Sequence, residues 1–325
     1  MLKKYPMKLR PVTKEILWGG SRLKERYNKT ADFDKLAETW ELTVRPDGMS
    51  VIDSGTYTGM PLDEFIRYAP KEILGVNGSK SDRFPILIKF IDARDDLSIQ
   101  VHPDDEYSLA NEGELGKMEM WYIVEATEDA RLVYGFKDGC TMDAFAKAVS
   151  EGTTESVLRY VPVKAGECYF IPSGQVHAIG SGCLIAEIQQ NSNVTYRVFD
   201  YNRKQADGSL RQLHVAQALD VTKIRTDEEV EALRYEKGPD KHGKTLCNCQ
   251  YFKVKRHITS VDGNTDFFVS DKSFKSVLVL HAENAFLEHD GTRYEIATGD
   301  SFFLPAGMGI VYLNGNAEVL VTTVN

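Results

Sequence analysis

The stretch Gly166-Glu-Cys-Tyr-Phe-Ile-Pro172-Ser-Gly174-Gln-Val-His177 decides the fold. It reads as a short strand that runs into a stiff Pro-x-Gly bend and delivers a histidine directly after it. A relative stands downstream as Gly299-Asp-Ser-Phe-Phe-Leu-Pro305-Ala-Gly307-Met-Gly-Ile310. Both follow the pattern Gly-x5-Pro-x-Gly-x2, with aromatic pairs in matching places, Tyr169-Phe170 and Phe302-Phe303. Recurrence of this kind marks a repeated supersecondary unit. It predicts two related β-barrels, of which the first ends its motif in a histidine and the second in Ile310.

The surrounding text agrees with a β-rich chain. Most of it is short apolar runs broken by Gly, Asp and Asn, the punctuation of strands and turns. Residues 61–75 place Leu62, Phe65, Ile66, Ile73 and Leu74 at helical spacing, with Pro70 dividing the stretch in two. Residues 140–160 carry Met142, Phe145, Val149 and Val157, with Thr141 as a cap. A short charged helix is expected around 226–234, and little else after Phe170 reads as helix. The fold class is therefore mainly β, with helices inserted in the N-terminal part and no alternating βαβ order. The polar run 236–248 reads as a linker, which divides the chain into domains 1–240 and 241–325.

The 325 residues hold 48 acidic and 39 basic side chains, a formal net charge of −9. A nucleic-acid binder carries a basic footprint, so no nucleic-acid partner is expected. Five cysteines without a Cys-x-x-Cys argue against a disulfide framework and for a reducing compartment. The N-terminus lacks a signal peptide's apolar segment, and no apolar run is long enough to span a bilayer. The expectation is a soluble cytoplasmic protein with no membrane partner.

Three segments gather metal-binding side chains. In Leu97-Ser98-Ile99-Gln100-Val101-His102-Pro103, strict alternation puts Leu97, Ile99 and Val101 on one face and Ser98, Gln100 and His102 on the other. The polar face either meets solvent or lines a polar cavity. In Gly116-Lys117-Met118-Glu119-Met120-Trp121, the residues Lys117, Glu119 and Trp121 share a face of an otherwise apolar strand. Glu119 there is either paired with its lysine or bound to a metal. His177 is the third element. Two imidazoles, a carboxylate and an amide oxygen make a plausible four-point site for one divalent ion. Histidine and glutamate suit Zn2+, and a site without cysteine is of the open, catalytic kind; other divalent transition metals fit the same donors.

The motif from Gly166 to His177 matches the second cupin motif. Together with Ser98-Ile-Gln100-Val-His102-Pro103 and Gly116-Lys117-Met-Glu119-Met-Trp121, it resembles the type I mannose-6-phosphate isomerases, closest to their short bacterial form. Ile16-Leu17-Trp18-Gly19-Gly20, Ala37-Glu38-Thr39-Trp40-Glu41 and Glu187-Ile-Gln-Gln-Asn-Ser192-Asn193-Val-Thr-Tyr-Arg197-Val-Phe-Asp200-Tyr201 are similar to segments of that family. The resemblance implies two cupin-type jelly-roll barrels, a catalytic one in 1–240 and a metal-free one in 241–325. It implies Gln100, His102, Glu119 and His177 as the ligands of one zinc ion, and Arg197 as the active-site arginine. Lys117, Glu187 and Ser98 are expected near the substrate, a small-molecule sugar phosphate. Glu187 faces the same cavity as a proton carrier or is a solvated acid; Lys117 serves phosphate or proton, or forms a salt bridge with Glu119. Many members have Ser-Asp where this chain has Ser192-Asn193, so no role is carried over for that aspartate. The reaction implied is the interconversion of mannose 6-phosphate and fructose 6-phosphate through a cis-enediol. The alternatives are a metal-dependent cupin acting on another sugar or sugar phosphate, and a non-catalytic sugar-binding cupin. The sequence leaves the oligomeric state open.

Overall fold

A computed structural model describes residues 2–205, 207–235 and 243–325. The chain divides into two compact units, one made of Met1–Lys14, Ser21–Phe90 and Lys237–Asn325, the other of Glu15–Gly20 and Ile91–Glu236. This differs from a division into 1–240 and 241–325. The reason is strand pairing far apart in sequence: Met7–Arg10 joins the sheet of the C-terminal strands, with Met7 opposite Phe303 and Lys8 opposite Phe302. Such a partnership leaves no local pattern in the text. The proposed linker 236–248 lies partly outside the described residues, and its later part is a strand, Lys244–Asn248.

The unit holding Ile91–Glu236 is built on two antiparallel sheets. One runs in the order Leu158–Pro162, Arg131–Phe136, His177–Ile179, Ile99–Val101, Tyr196–Phe199. Within the same unit, the other contains Arg234–Tyr235, Cys168–Ile171, Glu119–Ala126 and Cys183–Gln190, in that order. The first sheet has two unlike faces. Ile99, Val101, Val133, Leu158, Ala178, Tyr196 and Val198 pack as one buried cluster with Phe145, Ala218 and Val221. The last three belong to helices Met142–Ser150 and Val215–Val221, which cover that face. The polar face of Ser98, Gln100 and His102 is thus turned the opposite way. Ser98 and His102 are nevertheless buried, so this face lines an interior and not solvent.

The unit holding the C-terminal strands repeats the design. Lys275–His289 and Gly309–Val324 pair along most of their length, with register shifts between Val279 and His281 and between Glu283 and Phe286. Such bulges bend a strand sharply, so each long strand serves two walls. Val277, Val279, Ala285, Leu287, Val311, Leu313, Val319 and Val321 meet in one core. The expected barrels are therefore jelly-roll sandwiches whose sheets are not closed rings. The repeated glycines explain the shared motif: φ is 88° at Gly166, 82° at Gly174, 92° at Gly299 and 76° at Gly307. That region is cheap only for glycine. At Gly299 a Cβ would also stand 2.0 Å from the Tyr27 carbonyl oxygen.

The expected helices are present with shifted bounds. The stretch 61–75 becomes Leu62–Tyr68 and Pro70–Gly78, separated at Pro70 as its ring requires. The stretch 140–160 holds an α-helix over Met142–Ser150, where the Thr141 hydroxyl accepts from the Ala144 amide, and a short 3-10 helix at Thr154–Val157. Gly152 at φ 70° breaks it, and strand begins at Leu158. Asp227–Glu231 is the charged helix, closed by a Thr226–Glu229 capping box. Val215–Val221 was not foreseen, although five of its seven residues are apolar.

Candidate metal centre

Register places the site. His177 lies directly opposite Gln100, and Gln100 directly opposite Arg197, on three neighbouring strands. Residues so opposed share a face, so one row carries an imidazole, an amide and a guanidinium. His102 follows the central strand and lies on the same side, two residues from Gln100. Glu119 comes from the second sheet, opposite Ile171 and Gln189. Trp121, two residues on, sets its ring edge-on to the His177 ring at 5.2 Å between centroids.

Ligand atoms of His102, Glu119 and His177 lie within 4.8 Å of one another, all fully buried. His177 Nδ1 is 2.8 Å from the Gln175 carbonyl oxygen, which fixes the tautomer and leaves the Nε2 lone pair facing the cluster. His102 Nε2 stands 3.3 Å and Lys117 Nζ 3.1 Å from Glu119 Oε1, while His177 Nε2 is 3.7 Å from Glu119 Oε2. These approach without hydrogen-bond alignment: both His102 ring nitrogens and both Glu119 oxygens are buried with no hydrogen bond. Orphaned buried polar atoms are costly, and His102 Nε2 together with the Glu119 oxygens, beside His177 Nε2, fits a cation's donor set. Gln100 presents its amide 3.5 Å from His177 Nε2. A half-turn of that amide exchanges nitrogen for oxygen and adds a fourth donor.

Electrostatics point the same way. Burial, with Lys117 next, pulls the His102 imidazole down to about 3, and burial also lowers His177. Burial opposes ionisation of Glu119, but Lys117, His102 and His177 outweigh it and hold the carboxyl well below its ordinary range. Two neutral imidazoles and an ionised carboxylate are the forms a metal requires of its ligands.

Arg197 is half-buried beside this row. Its Nε donates to the Ser98 hydroxyl at 3.2 Å and its Nη1 to the Gln212 carbonyl at 2.9 Å. Ser98 therefore serves as a brace for the arginine. Glu187 is directly opposite Trp121 and accepts from Trp121 Nε1 at 2.9 Å, so it faces the interior and is not a solvated edge acid. Lys117 makes the ion pair with Glu119 that the sequence allowed. Three supporting groups escaped the sequence reading: the Gln175 and Gln212 carbonyls, which no side-chain pattern reports, and Asp200, which binds both Arg203 and Arg211. Asp200 stands in a conspicuous Arg197-to-Arg211 stretch, where six charges crowd fifteen residues, and that crowding was a usable signal. Ile310, the counterpart of His177 in the second motif, points outward and is 47% exposed, whereas Val311 and Leu313 face the core.

A jelly roll with a buried cluster of two histidines and one glutamate on its inner faces defines a metal-site cupin. Residues 7–126 match the family described as phosphomannose isomerase type I, catalytic domain, and residues 242–324 match the mannose-6-phosphate isomerase cupin domain. The chain is 36% identical over 318 residues to the mannose-6-phosphate isomerase ManA of Bacillus subtilis, covering 98% of each. It is 42% identical over 220 residues to a mannose-6-phosphate isomerase of Streptococcus mutans, covering 67% of this chain and 68% of that one. The crystal structure of the mannose 6-phosphate isomerase from Bacillus subtilis superposes with a TM-score of 0.86 at 32% identity, over 98% of this chain and 99% of that one. The chain belongs to the type I phosphomannose isomerase family.

Proposed function

We propose that this protein is a zinc-dependent aldose–ketose isomerase that interconverts mannose 6-phosphate and fructose 6-phosphate in the cytoplasm. The observation that carries this reading is the water-shielded convergence of His102, Glu119 and His177 in a chain of this family. These three, with the Gln100 amide oxygen, are the residues that would hold the ion. When bound, Zn2+ supplies Lewis-acid stabilisation of negative charge on the sugar oxygens.

The reaction moves a proton between C1 and C2 of the opened sugar through a cis-enediol. Its barrier is the weak acidity of a carbon-bound proton beside a carbonyl. Arg197 offers an always-charged planar group, held in place by Ser98 and Gln212, where charge develops on O1 and O2. Lys117 and Glu187 are the buried proton-handling groups of the interior, and Lys117 is a second candidate to meet the phosphate. With Glu119 the single anionic ligand and Gln100, His102 and His177 neutral, a site loaded with Zn2+ would keep a net positive charge, which favours an oxyanion. A coupled assay that reads fructose 6-phosphate formation tests the proposal. Turnover that stops with a chelator and returns with Zn2+ supports it, and full turnover in metal-depleted protein contradicts it.

A further inference from the structure

The inner face of the C-terminal jelly roll changes character at one end. Its middle is apolar, with Val277, Phe302, Leu304, Val319 and Val321 in one core. At the end, register places Lys253 and Lys275 on either side of Thr323, with Asn248 and Leu304 completing a row across five strands. The next row inward is Thr245, Lys255, Val321, Val277 and Phe302. Residues so opposed share a face. His257, next on the strand of Lys253 and Lys255, meets Phe267 of the same core, which identifies the face as the inner one. Strand spacing of about 4.8 Å and a rise of about 3.4 Å per residue bring the lysine stems within about 12 Å of one another, inside the reach of their side chains.

Neither row holds a carboxylate. Among the described residues none of the three lysines has an ion pair, in a protein whose net charge is −9. Lys275 is half-buried, and burial, then Lys255 and Lys253, draw its ammonium down to about 8. Crowding like charges on a partly dry surface is unfavourable until an anion joins them. We infer that Lys253, Lys255 and Lys275, with the Thr323 hydroxyl between them, form a binding site for a phosphate group, free or esterified. Three ammonium groups supply rotatable donors suited to a tetrahedral dianion. The inference does not depend on the isomerase reading, because every residue in it lies in the unit of the C-terminal strands.

The test uses full-length, metal-loaded protein with 13C-dimethylated lysines, titrated with inorganic phosphate or glycerol 3-phosphate at ionic strength held constant with chloride. The Lys253, Lys255 and Lys275 signals, assigned by single Lys→Arg replacements, are expected to move saturably. The stronger of the two ligands tells whether the site takes the free ion or the ester. Lys275→Met is expected to weaken the effect on Lys253 and Lys255 at least about tenfold, the loss of one charge-assisted contact, and to leave isomerase turnover unchanged. Signals that move no more with phosphate than with chloride, or saturation that survives Lys275→Met unchanged, would overturn the inference.

Discussion

Replacing Arg197 by alanine separates structural from chemical roles, because the structure bounds each. The substitution deletes two hydrogen bonds, from Nε to Ser98 and from Nη1 to Gln212. At about 1 kcal/mol net for each, the structural loss is about 2 kcal/mol. For a unit of this size that lowers the unfolding midpoint by less than about 8 °C. The metal cluster should survive, since none of its donor atoms belongs to Arg197. If the guanidinium stabilises charge on the enediol, turnover should fall about 10²-fold or more, equivalent to about 2.7 kcal/mol of barrier. Arg197→Lys keeps the charge but loses the planar fork, so it should recover part of the rate. The assay is steady-state isomerisation with metal content and melting measured on the same preparations. A rise in KM with kcat unchanged would refute the reasoning and make Arg197 a phosphate anchor.

Further expectations concern the unit of the C-terminal strands. Lys29→Met strands the fully buried Glu41 carboxylate, which lies 2.7 Å from Lys29 Nζ, and should cost about 3–5 kcal/mol in denaturant titration. A loss below the scatter of ordinary surface variants would mean that Glu41 is protonated in the native protein, the state that its burial favours. Ile310→Ala should change stability by less than about 0.5 kcal/mol because the side chain points outward; loss of metal from this variant would show that the second motif serves the site. Lys275 titrates at about 8 in the folded protein against an ordinary value of 10.5. Between those values the unfolded chain binds more protons, so this group makes stability rise with pH across that window. Lys275→Met should remove the rise in urea titrations; a variant with the wild-type slope would contradict it.

The sequence exposed what is local. The Gly-x5-Pro-x-Gly repeat was readable because four positive-φ turns demand glycine, and alternation in 97–103 was readable because one face of that strand packs under two helices. The composite site was less so. That Gln100 stands between His177 and Arg197 depends on strand order, and pairings across about a hundred residues leave no periodic trace. The same holds for Met7–Arg10, whose partner strand begins at Ser301. Equating Ile310 with His177 was sound for the turn. The Ile310 side chain itself points outward, because in the second unit the inward residues after the bend are Val311 and Leu313.

The central claim is that His102, Glu119 and His177 hold one ion that the reaction needs. Metal analysis of wild-type and His177→Ala protein, purified alike and assayed together, tests it most directly. About one divalent transition metal ion per wild-type chain, with both metal and turnover lost in the variant, is the result expected. A variant that keeps its ion, or one that turns over without it, would contradict the account.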